Sequence, residues 1–386
     1  MSSAFLTPQY VLSGENALES SVAYLRKYGD KALIVTDTTM VRVGNIRRLT
    51  DVLGEAGIRY VTYDQVNSEP VDDMVAAGKR LYQANFCNFL IAIGGGSPID
   101  TMKAIGAMLT NPGQISDYLG KVIPNAAPPM VAVPTTAGTG SEATQFTIIT
   151  DTRRDIKMLL KGPELIPRLA IVDYRFSMTA PQKVTAATGL DALTHAIESY
   201  TSRKAQPLSD MFALDAVKRI FHSLRRAFDD GADEAARRDM SLAALEAGIS
   251  FNNSSVTIVH GMSRPIGALF HVPHGLSNAM LLPRCLTFAL PGAAGRFARL
   301  AEILGLWQPG MSDQEAGRAF IGAVADLCRH LKIDTPASFG IDREKYFDSL
   351  DKMTEDALAS GSPANTRREV DAEDIKTIYR DVWNEV

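Results

Sequence analysis

The stretch Phe89-Leu90-Ile91-Ala92-Ile93-Gly94-Gly95-Gly96-Ser97-Pro98-Ile99-Asp100-Thr101-Met102-Lys103 passes from an apolar run, through three glycines, into a helix start. Ser97 reads as the N-cap, Pro98 as the first helical residue, and Asp100 as the acid that returns to the cap. Glycines before a helix N-terminus let backbone approach a ligand closely, and the free N–H groups there favour a phosphate. The run is neither G-x-G-x-x-G nor a P-loop. Taken alone, it also fits a tight turn before a well-capped helix.

Outward from this loop, residues 32–36, 89–93, 130–133 and 169–172 are short and apolar. Residues 17–27, 43–56 and 71–84 repeat apolar side chains at helical spacing. Apolar strands alternating with helices predict a parallel sheet covered on both faces. From about residue 184 the helical period dominates, over 184–200, 208–228, 233–251, 292–305, 313–331 and 372–386. The expected architecture is an α/β dinucleotide-binding domain over 1–178 and an all-α domain over 179–386. The Gly/Ser/Pro/Asn stretch at 359–366 reads as a surface loop.

Composition narrows the function classes. The chain has 386 residues, 46% hydrophobic and 22% charged, which is globular and not disordered. Forty basic against 44 acidic side chains give a net charge of −4, so no global field recruits nucleic acid or an anionic membrane. Three cysteines without CxxC spacing fit a reducing, cytoplasmic setting. No secretory leader or membrane span is expected.

A second small-residue turn, Pro134-Thr135-Thr136-Ala137-Gly138-Thr139-Gly140-Ser141-Glu142, follows the 130–133 strand and offers hydroxyls where open α/β sheets bind ligands. Asp37, at the end of the 32–36 strand, suits a ribose 2′-hydroxyl and would repel a 2′-phosphate, favouring NAD over NADP; it equally suits a turn. Five of the six histidines fall between residues 195 and 274. Asp191 and His195 lie four apart on one helix face, and His260 and His274 lie fourteen apart. One carboxylate and three imidazoles match a divalent first-row metal with an open position. The pair at 191 and 195 also fits an ordinary buried histidine.

Together these segments resemble the iron-containing (group III) alcohol dehydrogenases, which have a dehydroquinate-synthase-like fold. The resemblance spans essentially the whole chain. It rests on Gly94–Lys103, Pro134–Glu142, the run AATGLDALTHAIE at 186–198, and HGMSRPIG with the later PHG at 260–275. It implies a metal held by Asp191, His195, His260 and His274, with Fe²⁺ first and Zn²⁺, Ni²⁺ or Mn²⁺ as alternatives. It implies NAD(H) contacts from Gly94, Gly95, Gly96, Ser97, Asp100, Thr135, Thr136, Thr139 and Thr144, with Asp37 near the ribose and Lys157 as a further contact. Phe146, Phe251 and Val256 fall where relatives line the substrate end. The activity implied is interconversion of a small primary alcohol, or a hydroxyalkyl acid, and its aldehyde. In that chemistry the metal polarises the substrate oxygen while hydride passes to or from nicotinamide. A homo-oligomer is implied as well.

One position departs from the pattern. Many relatives carry a further histidine where this chain has Arg264. A guanidinium stays charged near neutral pH and cannot relay a proton. His271 is then the alternative for the proton path. Arg264 also raises an anionic substrate, or instead a local or cofactor partner. A dehydroquinate-synthase-like lyase, a hydroxyacid–oxoacid transhydrogenase and a non-catalytic NAD- or metal-binding protein are the competing readings.

Overall fold

Six short strands of the first half lie side by side because most of them are too apolar to face water on either side. In the computed structural model, which describes residues 3–383, β1 (Tyr10–Ser13), β2 (Lys31–Val35), β3 (Arg59–Tyr63), β4 (Phe89–Gly94), β5 (Met130–Pro134) and β8 (Leu169–Val172) form this sheet. It is wholly parallel, in the order β1-β8-β5-β4-β2-β3. β6 (Phe146–Asp151) and β7 (Ile156–Lys161) make a separate antiparallel pair. Alternate residues of β2 and β4 enter opposite cores: Leu33, Val35, Leu90 and Ala92 one, Ile34, Ile91 and Ile93 the other. That is the period of two expected of strands buried on both faces.

β3 lies outside β2, whereas β4 returns to the other side of β2. The winding therefore reverses between β2 and β4. In open parallel sheets the ligand crevice lies at such a reversal, beyond the carboxyl ends of the strands. Asp37 lies just beyond β2, and Gly94 ends β4 with Gly95 and Gly96 following it.

Sequence patterning misses β1, β3 and the β6–β7 pair. β1 and β3 are edge strands that between them bury only Tyr63, and β7 buries only Met158 and Leu160. None of them carries the continuous apolar signal of a central strand. The helix expected over 43–56 runs from Asn45 to Glu55, and Gly44, with φ 83°, separates it from a short preceding helix, Thr38–Arg42.

Contacts divide the chain into two compact units, Leu6–Ala180 and Pro181–Val386 with Met1–Phe5. The second unit is built of helices, including Gln182–Thr201, Pro207–Asp229, Glu234–Asn252, Ile258–Phe270 and His274–Ala289. From Gly189 to Thr201 every residue of the first of these is buried. A helix enclosed all round is a central one, yet this one carries Asp191, Thr194, His195 and Glu198. The 359–366 stretch is not the surface loop expected. Ser362, Pro363 and Thr366 are buried, and a Cβ on Gly261 would stand 2.6 Å from Pro363 Cδ. Among the described residues, no helix is long and apolar enough to cross a membrane.

Candidate active site

Buried carboxylates and imidazoles must find partners, and on the central helix they find one another. Asp191 and His195 project from adjacent turns of Gln182–Thr201, His260 from the first turn of Ile258–Phe270, and His274 opens His274–Ala289 after Pro273. One donor atom from each lies within 4.8 Å of all the others. Gly275 permits this approach: a Cβ there would stand 2.5 Å from the Ala187 carbonyl oxygen and 3.2 Å from Asp191 Cβ. The side chains of Asp191, His195 and His260 are 3%, 6% and 4% exposed, whereas that of His274 is 41% exposed. The cluster is therefore open on the His274 side.

Two residues with no role assigned from sequence complete the cluster. Glu198, two turns beyond Asp191, accepts hydrogen bonds of 2.6 Å from Thr257 Oγ1, Val259 N and His260 Nδ1. The last bond puts the His260 proton on Nδ1 and turns the Nε2 lone pair toward Asp191, 3.7 Å away. Asn278 Nδ2 donates to Asp191 Oδ1 at 2.8 Å and lies 3.1 and 3.3 Å from His260 Nε2 and His274 Nε2. Spacing held a signal for both, since Glu198 is i+7 from Asp191 and Asn278 is i+4 from His274.

The charges suit a cation. Burial pushes the His195 pKa down to about 3, so its imidazole is neutral with a lone pair free. Burial opposes ionisation of Asp191, yet His195, His274 and His260 hold its carboxyl well below the usual range. The Asn278 amide has two hydrogens for three acceptors, and His195 Nδ1 is buried with no hydrogen-bond partner among the described residues. Three imidazoles and a carboxylate with lone pairs left over fit a divalent first-row metal.

In the α/β unit the glycine loop differs from its sequence reading. The Gly96–Thr110 helix is capped by Gly95, not Ser97, and Pro98 is its third residue. The ring is tolerated because first-turn N–H groups have no acceptor within the helix. Gly94 has φ 153°, and a Cβ there would stand 2.6 Å from Pro98 Cγ and 3.4 Å from Asp37 Oδ2. Thr135 N donates to the Gly94 carbonyl at 2.9 Å, and a Cβ on Gly96 would lie 3.1 Å from Thr139 Cγ2. The glycine and threonine loops thus sit side by side.

Asp100 does not return to the cap. Its Oδ2 accepts from Ile148 N at 2.9 Å, and its carbonyl accepts from Thr147 Oγ1 at 2.8 Å. Lys103 is fully buried, and its Nζ donates to Thr144 O, Thr144 Oγ1 and Phe146 O, each at 2.9 Å. These bonds fasten the helix to the segment that follows the threonine loop.

The remaining expected residues are placed as follows. Asp37 Oδ1 caps the Thr38–Arg42 helix by accepting from Met40 N at 3.0 Å. Lys157 pairs with Glu69 at 2.5 Å. Phe251 stacks on His195 with ring centroids 4.2 Å apart, and the Val256 carbonyl accepts from Asn365 Nδ2 at 3.1 Å. Phe146 opens β6. His271 is exposed and ends the Ile258–Phe270 helix at φ 56°, outside the ligand group.

A family model described as iron-containing alcohol dehydrogenase matches residues 8–174. One described as the Fe-containing alcohol dehydrogenase family, C-terminal, matches residues 185–383. Choline dehydrogenase of Bacillus subtilis (strain 168) is 35% identical over 385 residues, 98% of this chain and 95% of that protein. A solved 1,3-propanediol oxidoreductase is similar with a TM-score of 0.96 at 34% identity, over 99% of this chain and 100% of that one. Sulfoacetaldehyde reductase from Bifidobacterium kashiwanohense, solved in complex with NAD⁺, gives a TM-score of 0.87 at 27% identity, over 99% of each chain.

Proposed function

The chain belongs to the iron-containing alcohol dehydrogenase family and interconverts alcohols and aldehydes; we propose that it does so with NAD(H) and a divalent cation, Fe²⁺ foremost, on a small primary alcohol or hydroxyalkyl acid and its aldehyde. The observation that carries this reading is the meeting of Asp191, His195, His260 and His274, with His195 Nδ1 buried and unpartnered among the described residues. When bound, the cation supplies Lewis acidity toward the substrate oxygen, and the dinucleotide gives or takes the hydride.

The protein's own residues bind, orient and exclude water. Asp191, His195, His260 and His274 would hold the cation, with Glu198 fixing the His260 tautomer. Phe251, stacked on His195, shields that ligand from water. The backbone of Gly94, Gly95, Gly96 and Ser97 would take the pyrophosphate, and Thr135, Thr136 and Thr139 add hydroxyls beside it. Asp37 at the sheet's reversal point favours NAD over NADP. Asp100 and Thr144, the further cofactor contacts of this reading, also hydrogen-bond inside the unit, Asp100 to Thr147 and Ile148 and Thr144 to Lys103, which positions the loops. Lys157, whose Nζ pairs with Glu69, is a further cofactor contact in this reading.

Zn²⁺, Ni²⁺ and Mn²⁺ suit the same donors. Buried free thiols at Cys87, Cys285 and Cys328 fit a cytoplasmic enzyme. An edge strand β1 with Tyr10 and Val11 exposed fits a homo-oligomer.

Metal analysis with NADH oxidation across a panel of aldehydes tests the reading. His260→Ala and His274→Ala should purify folded, nearly metal-free and nearly inactive. Full turnover in either variant overturns it.

A further inference from the structure

Arg264 follows His260 by one turn on the Ile258–Phe270 helix, so the two side chains leave the same face. The residue is partly buried, and its five N–H donors meet no acceptor among the described residues. Glu198 is the anion whose charge it feels. Both Glu198 oxygens are already engaged, by Thr257, Val259 and His260. Neutralising Glu198 is therefore not a sufficient reason for a guanidinium at this place. Its nitrogens are not sealed from solvent, so the guanidinium can take an anion that enters from the open side. Lys103 shows how this chain settles a buried cation elsewhere, with three protein acceptors at 2.9 Å.

We propose that Arg264 binds an anionic group of the substrate, a carboxylate, sulfonate or phosphonate, so that the preferred substrates are short hydroxyalkyl and oxoalkyl acids. The inference rests on the metal-site reading above. A divalent cation and the guanidinium together exceed Asp191 and Glu198 by one positive charge, which an anionic substrate balances. Side chains at i and i+4 start about 6 Å apart, a span that suits two or three carbons between the reacting oxygen and the anion. The planar fork of arginine takes such a group through two parallel hydrogen bonds.

The test pairs binding with turnover on the metal-loaded enzyme. Ethanesulfonate, which has no oxidisable carbon–oxygen bond, is titrated in the presence of NAD⁺ and followed by saturation-transfer NMR. Wild type should bind it, Arg264→Gln should bind it at least tenfold more weakly, and Arg264→Lys should fall between them. In parallel, the ratio of kcat/KM for 3-oxopropanoate and sulfoacetaldehyde over propanal should exceed one in wild type and fall at least tenfold in Arg264→Gln. Circular dichroism and metal content establish that each variant is folded and loaded. Unchanged ethanesulfonate binding in Arg264→Gln, or propanal or a cationic aldehyde outperforming the acids in wild type, overturns the inference and leaves the oxidoreductase reading standing. Loss of metal from Arg264→Gln with the acid preference intact also overturns it. Absence of NADH oxidation with every aldehyde overturns the functional reading itself.

Discussion

Glu198 holds His260 through a 2.6 Å hydrogen bond to Nδ1 while the opposite nitrogen of the same ring looks into the ligand cluster. The carboxylate thereby selects the tautomer able to ligate a cation. Glu198→Gln can turn its amide N–H toward Nδ1, which forces the proton onto Nε2. Metal affinity should fall by about 10–100-fold, measured by competition with a chromophoric chelator. The far-ultraviolet circular dichroism should be unchanged, because Thr257 and Val259 keep an oxygen acceptor. Wild-type affinity in this variant would refute the tautomer argument.

Gly275 marks a close approach between the helix that His274 opens and the central helix. With a Cβ 2.5 Å from the Ala187 carbonyl oxygen, Gly275→Ala must move backbone. The expected loss is about 1–3 kcal/mol in denaturant unfolding, accompanied by reduced metal content as His274 is displaced. A stable variant with full metal occupancy would show that the helices separate without cost.

Lys103→Met leaves the acceptors at Thr144 and Phe146 unpaired in a buried place. Stability should drop by about 2–4 kcal/mol, and KM for NADH should rise because the threonine loop loses its fastening. Metal content should stay at the wild-type level, since Lys103 lies in the other unit. A fall in metal with an unaltered KM for NADH would contradict this division of roles.

Glu246 provides a pH dependence separate from the metal cluster. Burial, with Asp215 adding its like charge against the opposing pull of Arg219, raises its carboxyl from 4.5 to about 8. The folded state therefore binds more protons than the unfolded state between these values, and stability falls as pH rises through that window. At about 1.4 kcal/mol per pH unit, the effect amounts to a few kcal/mol. Glu246→Gln should unfold much like wild type near pH 4.5 and be clearly more stable at pH 9, by urea titration at both values. Parallel pH profiles would remove the assignment.

Local periodicity is a property of neighbouring residues, which explains what could be read from the chain alone. The buried runs at β2, β4, β5 and β8 announce a parallel sheet because strands buried on both faces are apolar throughout. The pairing of Asp191 with His195 is legible because one helical turn joins them. The Ser97 cap misled for the complementary reason. Whether a helix begins at residue 96 or 98 depends on which backbone groups find acceptors, and Asp100 finds Ile148 on a distant strand.

Sequence by itself determined the two-part plan, the glycine loop after β4 and the donor types for a metal. Only the tertiary structure decided that His260 and His274 reach Asp191, that Gly275 makes room for that approach, and that Glu198 and Asn278 orient the donors. It also decided that Asp100 and Thr144 serve the loops' anchorage, and that Arg264 is left without a protein partner among the described residues. The physical reason is range. Helix and strand patterns follow from contacts a few residues apart, whereas ligand convergence and the satisfaction of buried charge depend on which distant segments pack together.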